Sequence, residues 1–325
     1  MNIWIGRLLI ERPLHSELFF NHQSSIINHQ SKGVNMEIEA KINDSLFLLE
    51  RILALHKNPV IACSFGKDSE VALHLVRQVK PDVQVVFNNT KVEFPETYQL
   101  KRQLVKDWNL NLVEIFPLHG WTFWKVIEKY GFPVGQRFGN KATGKCCYYL
   151  KKAPMLKAIK EYGWDLVIDG MTIYESRQRF FQIGKTTQGY RYVDGFGCHK
   201  LSPIWNWTPD DVWDYIEMYH LPYNRYYDNE VLVQPAYMKR GHKQSGYYRC
   251  LRVGCWCCTI PLKYDPFHLT HLRMFYPKLY QLLLRKGLAQ FLLDYGDGMA
   301  LFRNLQVDWI INERPCYFEG VTVDV

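Results

Sequence analysis

The sequence contains no apolar run long enough to cross a bilayer, although 47% of its 325 residues are hydrophobic. Short apolar stretches in the first 35 residues are interrupted by charged residues and histidines, which is not the pattern of a secretory signal peptide. Without such a signal, nine cysteines indicate metal or redox chemistry in a reducing compartment rather than a disulfide framework. We therefore expect a cytoplasmic protein with no membrane partner.

Internal repeats and low-complexity tracts are also absent from the sequence. A chain of this length and hydrophobic content can form one large α/β domain with an appendage. Its 40 basic and 32 acidic residues give a net charge of +8. That charge suits an anionic small molecule and a nucleic acid equally, so it does not choose between them.

Short apolar runs alternate with amphipathic segments along most of the chain. Strands are predicted near 59–63, 83–88, 111–116 and 165–170, and helices near 37–56, 69–79, 95–108 and 151–162. This alternation is typical of an α/β fold with a doubly wound parallel sheet, covered by helices on both faces. It stops after about residue 225, where a cysteine-rich loop precedes a C-terminal helical appendage over 268–294.

The hexapeptide Ser64-Phe65-Gly66-Lys67-Asp68-Ser69 lies between the first predicted strand and the helix that follows it. A tight loop in this position brings backbone N–H groups and a helix N-terminus to one point, which favours an anion. Gly66 allows close backbone approach, Lys67 supplies a positive charge, and Ser64 and Ser69 supply hydroxyl donors. The loop is shorter than the Walker pattern, which ends in Gly-Lys-Ser/Thr.

This hexapeptide resembles the PP-loop of the adenine nucleotide alpha-hydrolase superfamily. Two later segments resemble motifs of one member family, the phosphoadenylyl-sulfate (PAPS) reductases. They are Val85-Val86-Phe87-Asn88-Asn89-Thr90 with Val92-Glu93-Phe94-Pro95-Glu96-Thr97, and Leu201-Ser202-Pro203-Ile204-Trp205-Asn206-Trp207-Thr208-Pro209-Asp210-Asp211-Val212-Trp213. The resemblance covers roughly residues 45 to 285. It implies an adenine nucleotide-binding domain over 36–230, a poorly ordered extension over 1–35, and a cysteine-rich and helical region over 231–325.

The resemblance also implies which residues bind the nucleotide. They are Ser64, Phe65, Gly66, Lys67, Asp68, Ser69, Asn89, Gly170, Arg177 and Arg179. Two of the motifs depart from the family pattern. Asn89 stands where many relatives carry Asp, and Thr172 stands where a first Arg is common, a loss for which Arg177 can compensate. Arginine suits the bidentate recognition of phosphate and sulfate oxygens.

Six of the cysteines fall in two tight groups, Cys146-Cys147 and Cys250 to Cys258. Adjacent cysteines followed by a distant Cys-x-x-Cys form a metal-ligand pattern, and all-thiolate sites suit zinc or an iron–sulfur cluster. Cys63 and Cys198 stand in isolation and are expected to be buried free thiols. We expect a metal site built from the two groups.

The family resemblance implies a [4Fe–4S] cluster, because cluster-bearing adenylyl-sulfate reductases show Cys-Cys-x-x-Arg-Lys-x-x-Pro and a later Cys-x-x-Cys. Cys146, Cys147, Cys255 and Cys258 fall on that pattern, as do Lys151 and Pro154, whereas Leu150 replaces the usual Arg. The segment Gly254 to Thr259 also resembles that of DNA phosphorothioation sulfurtransferases. In that version Cys250 replaces Cys147 as the fourth ligand.

Three functions follow from these patterns. The first is reduction of PAPS or adenylyl sulfate (APS) by a thiol, with Lys67 and Cys316 as catalytic candidates and a thioredoxin-like reductant. In the family that thiol lies in a C-terminal Glu-Cys-Gly motif, which the segment around Cys316 lacks. The second is an ATP pyrophosphatase, with magnesium, that transfers sulfur to a nucleic acid. The third is a zinc-stapled nucleic-acid-binding protein.

Overall fold

The computed structural model describes residues 27–133, 142–233, 246–249, 252–263 and 268–296. The chain divides into two compact units, Met1–Asn43 and Asp44–Val325, and the sheet and the candidate site belong to the second. Cys250 and Cys316 lie outside the described residues, as does most of the predicted extension over 1–35.

The central sheet has six strands in the order β3-β2-β1-β4-β6-β5. The strands are β1 (Pro59–Ala62), β2 (Gln84–Asn88), β3 (Asn111–Ile115), β4 (Leu166–Ile168), β5 (Tyr190–Val193) and β6 (Cys198–Leu201). All neighbouring pairs are parallel except β5 and β6, which form an antiparallel pair at one edge. The predicted parallel sheet is therefore confirmed, and the edge pair is an addition that the sequence patterns did not predict.

Eleven helices are found in the described part of the chain. They are α1 (Ile27–Leu53), α2 (Lys67–Val79), α3 (Pro95–Asp107), α4 (Phe123–Tyr130), α5 (Ala142–Cys147), α6 (Ala153–Tyr162), α7 (Arg177–Ile183), α8 (Pro209–Met218), α9 (His268–Phe275), α10 (Pro277–Arg285) and α11 (Leu288–Gly296). A π-helical turn over Tyr148–Lys152 joins α5 to α6, and β7 (Glu230–Val233) pairs with β8 (Gly246–Arg249). None of the described helices is both long and apolar enough to span a membrane.

Two hydrophobic clusters hold these elements together. In the first, Val60, Val86 and Val167 of the sheet pack with α6. The second joins side chains near β2 and α4, such as Phe94 and Phe123, to the helices after residue 268. Burial of each such side chain contributes roughly 1.5–3 kcal/mol. The region after the cysteine-rich segment therefore shares a core with the segments that follow β2 and β3.

The order in which successive strands are added to the sheet reverses at β1. β2 and β3 extend to one side of β1, whereas β4 pairs with its other side. Ligands of open α/β sheets bind at the carboxyl ends of the strands next to such a reversal. The loops after β1 and β4 meet there, because a Cβ built on Gly170 would lie 2.6 Å from the Asp68 carbonyl carbon and 2.7 Å from Ser69 Cα. Only glycine allows this approach.

Replacing Gly170 with alanine is expected to destabilise the protein by about 1–3 kcal/mol, since backbone atoms must move to admit the methyl group. Gly144 of α5 is the matched control, because no described atom lies within 4 Å of the position of its added Cβ. Thermal unfolding should show a lower Tm for Gly170→Ala and an unchanged or higher Tm for Gly144→Ala. Equal Tm values for Gly170→Ala and wild type would contradict the steric argument.

Candidate functional site

The loop after β1 is anchored in the core by Phe65. This residue has a left-handed backbone, with φ of 56°, and its side chain is fully buried edge-on against Phe87. The buried Asn224 donates a hydrogen bond from Nδ2 to the Phe65 carbonyl at 3.1 Å. A non-glycine residue keeps this conformation only where its surroundings impose it. The predicted contact of Phe65 with a nucleotide stays a prediction, and its buried side chain leaves only the backbone to make it.

Ser69 closes the loop from within. Its hydroxyl accepts a hydrogen bond from the Ser64 N–H at 3.2 Å and donates one to the Gly66 carbonyl at 2.9 Å. The Ser64 and Ser69 hydroxyl oxygens are 3.1 Å apart. Ser69 therefore stabilises the loop conformation, and Ser64 is the hydroxyl of the two that lines the adjoining cavity.

Lys67 and Asp68 form an ion pair at the start of α2. Lys67 Nζ donates to Asp68 Oδ1 at 2.7 Å, and the lysine is only 6% exposed. The Lys67 N–H donates to the hydroxyl of Tyr227 at 3.4 Å. The ammonium group therefore lies at the N-terminus of α2, where the helix dipole already favours an anion.

Glu175 holds two arginines beside this loop. Arg179 forms an ion pair with it, and Arg252 Nη2 lies 3.6 Å from its carboxylate. Burial raises the pKa of Glu175, and the two guanidinium groups oppose that effect. Arg179 and Arg252 both line the cavity. Their charges and forked donors suit phosphate or sulfate oxygens. The side chain of Arg177 lies outside the described residues.

Four of the five cysteines predicted as metal ligands come from two described chain segments, and the fifth, Cys250, lies outside the described residues. Cys146 and Cys147 end α5, just before the π-helical turn. Cys255 and Cys258 begin and end a tight turn in which the Cys258 N–H donates to the Cys255 carbonyl at 3.1 Å. An antiparallel bridge between Glu93 and Cys255 attaches this turn to the segment after β2. All four cysteines line the cavity.

The thiols lie close enough to oppose one another's ionisation. Burial raises the pKa of Cys146, and the thiols of Cys147, Cys258 and Cys255 raise it further. Burial also raises the pKa of Cys258 to about 12, with Cys255 as the next cause. Four neighbouring thiolates therefore need a strongly positive partner. The ammonium group of Lys151 supplies one unit of that positive charge. The charge of Cys255 is the main cause that raises the pKa of Lys151.

All-thiolate donor sets suit an iron–sulfur cluster or zinc. Cys146, Cys147, Cys255 and Cys258 share one cavity, and their chemistry fits such a group. The choice between a cluster and zinc stays a prediction.

One cavity of about 490 Å³ connects the loop, the arginines and the thiols. Its wall includes Ser64, Asn88, Glu93, Cys146, Cys147, Lys151, Arg179, Arg252, Cys255, Cys258 and His268. Asn89 is directed elsewhere, because its amide donates to Glu114 and its carbonyl accepts from the Lys91 N–H and the Tyr98 hydroxyl. Its predicted role with the nucleotide stays a prediction.

Sequence reasoning did not identify two residues that lie beside the predicted metal ligand Cys255. The Thr90 hydroxyl donates to Glu93 Oε1 at 2.7 Å and lies 3.4 Å from Cys255 Sγ. Glu93 Oε1 is itself 3.9 Å from that sulfur. Thr90 ends the segment that resembles the family's second strand, and Glu93 belongs to the segment that resembles its Glu-Phe/Tyr-Pro-Glu-Thr turn, which was the available signal. Their contacts with Cys255 span 165 and 162 positions of sequence.

The remaining described thiols are buried. Cys63 and Cys198 are buried free cysteines, as predicted. Cys257 is fully buried within the second hydrophobic cluster, and burial raises its pKa well above the ordinary value. Cys257 therefore packs in the core and is not among the residues that line the cavity.

Residues 58–261 match the phosphoadenosine phosphosulfate reductase domain. The chain belongs to the PAPS reductase family. The adenosine 5′-phosphosulfate reductase of Halalkalibacterium halodurans is 28% identical over 236 residues, 71% of this chain and 86% of that protein. The enzyme of the same name from Geobacillus kaustophilus is 30% identical over 206 residues, 62% of this chain and 73% of that protein. The predicted family is confirmed, and the chain is a reductase-like enzyme.

The similarity of this chain to solved structures is weaker than its similarity to these sequences. The phosphate complex of PAPS reductase from Candida auris is 22% identical and covers 59% of this chain and 89% of its own, with a TM-score of 0.44. The family assignment therefore depends on the sequence match.

Lys67→Ala and Asp68→Ala are each expected to weaken adenine nucleotide binding by about 10- to 150-fold, the equivalent of a charge-assisted contact of about 1.5–3 kcal/mol. Lys80 and Asp82 provide the matched control, because they form an ion pair of 3.0 Å just beyond the C-terminal end of α2. Calorimetry with APS, PAPS and ATP should show the loss only for the loop variants. Unchanged affinity for all three nucleotides would remove the loop from the site.

Proposed function

We propose that this protein reduces adenylyl sulfate, or its 3′-phosphorylated form, to sulfite and releases the adenine nucleotide. The observation that carries the proposal is that one cavity is lined by Ser64 of the loop after β1, by two arginines and by four thiols. The names of its relatives, adenosine 5′-phosphosulfate reductases, support the same reaction.

The charges of the cavity support a position for each part of the substrate. Backbone groups of the loop and Lys67 suit the nucleotide phosphate, because the helix N-terminus and the ammonium are both positive. Arg179 and Arg252 suit the sulfate group, whose oxygens match their forked donors. Glu175 holds both arginines in place before the substrate arrives.

An iron–sulfur cluster would be held by Cys146, Cys147, Cys255 and Cys258. When bound, it would supply a redox centre and a fixed local charge beside the anionic substrate. Thr90 and Glu93 would orient Cys255, since both lie within 4 Å of its sulfur. Lys151 would offset the charge of the thiolates and keep the ligand set ionised.

The reduction itself needs a thiolate that attacks the sulfur of the sulfate group. The new S–S bond forms as the bond from that sulfur to the bridging oxygen breaks, and the nucleotide leaves with the electron pair. A dithiol of the thioredoxin class then attacks the resulting S-sulfocysteine and releases sulfite, and the dithiol ends as a disulfide. Cys316, which lies outside the described residues, is the candidate nucleophile.

A sulfurtransferase that activates a nucleic acid with ATP is the second candidate. The paired Lys67 and Asp68 favour it, because superfamily members that cleave ATP keep this pair. Magnesium would then accompany the nucleotide. The products separate the two reactions: sulfite appears from adenylyl sulfate in the first, and pyrophosphate from ATP in the second. Pyrophosphate release without sulfite release would replace the reductase proposal with the sulfurtransferase.

Cys258→Ser should lose most of the bound iron and sulfide, because it removes one of two thiolates in a single turn. Cys257→Ala is the control, since this neighbouring thiol is buried in the hydrophobic cluster. Iron and sulfide analysis after anaerobic purification measures both, and the same assay on Cys147→Ser and Cys250→Ser identifies the fourth ligand. Full iron retention in Cys258→Ser, or a colourless wild-type protein that contains zinc, would contradict the cluster.

Cys316→Ser should abolish sulfite release and leave nucleotide affinity and iron content unchanged, because the substitution removes only the attacking thiol. Incubating wild-type protein with substrate and no reductant should leave an S-sulfonate on Cys316, which mass spectrometry of peptides detects. Sulfite release at the original rate in the variant would show that Cys316 is not the nucleophile.

A further inference from the structure

A stack of aromatic rings lies at the surface next to the thiol-bearing helix. The rings of Trp121 and Tyr149 are 4.0 Å apart at an angle of 15°, and Tyr130 lies nearly parallel to both at 6.4 and 6.2 Å. All three rings are only partly buried. Tyr149 follows Cys147 by two residues, so this Trp121 stack adjoins the segment that supplies thiols to the cavity.

Positive charges surround the Trp121 stack. Lys129 Nζ lies 5.8 Å from the ring centre of Trp121 and 5.6 Å from that of Tyr130. An open groove beside Trp121 is lined by His119, Lys125, Glu128 and Lys129 in addition to the tryptophan. Lys145 is exposed on α5, four residues before Tyr149 in the chain. The three lysines outnumber the single glutamate at this surface.

Packing alone accounts for part of this arrangement, since Trp121, Tyr130 and Tyr149 contact the second hydrophobic cluster. It does not account for three lysines gathered beside partly exposed aromatic rings. Rings on which bases stack, flanked by cations that contact phosphates, are the two components of surfaces that bind single-stranded nucleic acids. A duplex offers no free base faces, and an acidic protein would use the charges without the rings.

We propose that the Trp121 stack and its lysines bind single-stranded nucleic acid. A base stacks on Trp121, and phosphates contact Lys125 and Lys129. Recognition of this kind is largely independent of base sequence, because every base has an aromatic face. This binding goes beyond the proposed reduction and does not depend on it, since the groove is separate from the 490 Å³ cavity in its lining residues.

The test uses fluorescence anisotropy of a labelled single-stranded RNA of mixed sequence with the full chain, and the corresponding duplex for comparison. Trp121→Ala should weaken binding by about 5- to 150-fold, the equivalent of about 1–3 kcal/mol for one stacked base. Trp121→Phe should retain most of the affinity, because it keeps an aromatic face. Nucleotide affinity at the cavity should stay unchanged in both variants.

The lysines are tested through the salt dependence of binding. Lys125→Gln with Lys129→Gln should reduce the slope of log K against log salt by about 1.4, or 0.7 for each lost phosphate contact. Lys157→Gln with Lys160→Gln is the control, because these exposed lysines lie on α6. Three results would overturn the proposal: no RNA binding at low salt, equal binding of the duplex, or equal slopes for the two double variants.

Discussion

The antiparallel bridge between Glu93 and Cys255 is the contact on which the candidate site depends. The Trp256 N–H donates to the Val92 carbonyl at 2.9 Å beside it, so backbone atoms fix the turn that carries Cys255 and Cys258. Trp256 and Phe94 are both buried in the second hydrophobic cluster. Hydrophobic burial and two backbone segments therefore bring these thiols to the end of α5.

Three cations of the site are paired with two carboxylates. Lys67 pairs with Asp68, and Arg179 and Arg252 share Glu175. Such pairing lowers the repulsion among positive groups in a partly buried cavity, where unpaired charges are costly. It also keeps the side chains in position for an incoming anion. Binding then requires the cations to share their donors between the carboxylates and the substrate, which favours ligands with several charged oxygens.

Parts of the fold were predictable because their signals are local. The four predicted strands are short apolar runs, and all of them lie in the parallel part of the sheet. The sequences of β1 and β4 are apolar because these strands are buried. The strands β5 and β6 were not predicted, because Tyr190–Val193 and Cys198–Leu201 mix polar and apolar residues. Both strands are only partly buried, which tolerates that mixture, and pairing with neighbouring strands rather than composition makes them strands.

The sequence by itself determined the family, the strand–loop–helix around Ser64 to Ser69, and the cysteines that form a ligand pattern. These features depend on neighbouring residues, whose spacing decides local backbone geometry and chemistry. Only the tertiary structure decided three further roles. Ser69 stabilises the loop by a hydrogen bond to the Gly66 carbonyl, Asn89 donates a hydrogen bond to Glu114, and Thr90 and Glu93 lie close to the Cys255 sulfur. Those roles arise where distant segments pack together, and packing partners are selected by the shape and burial of whole elements.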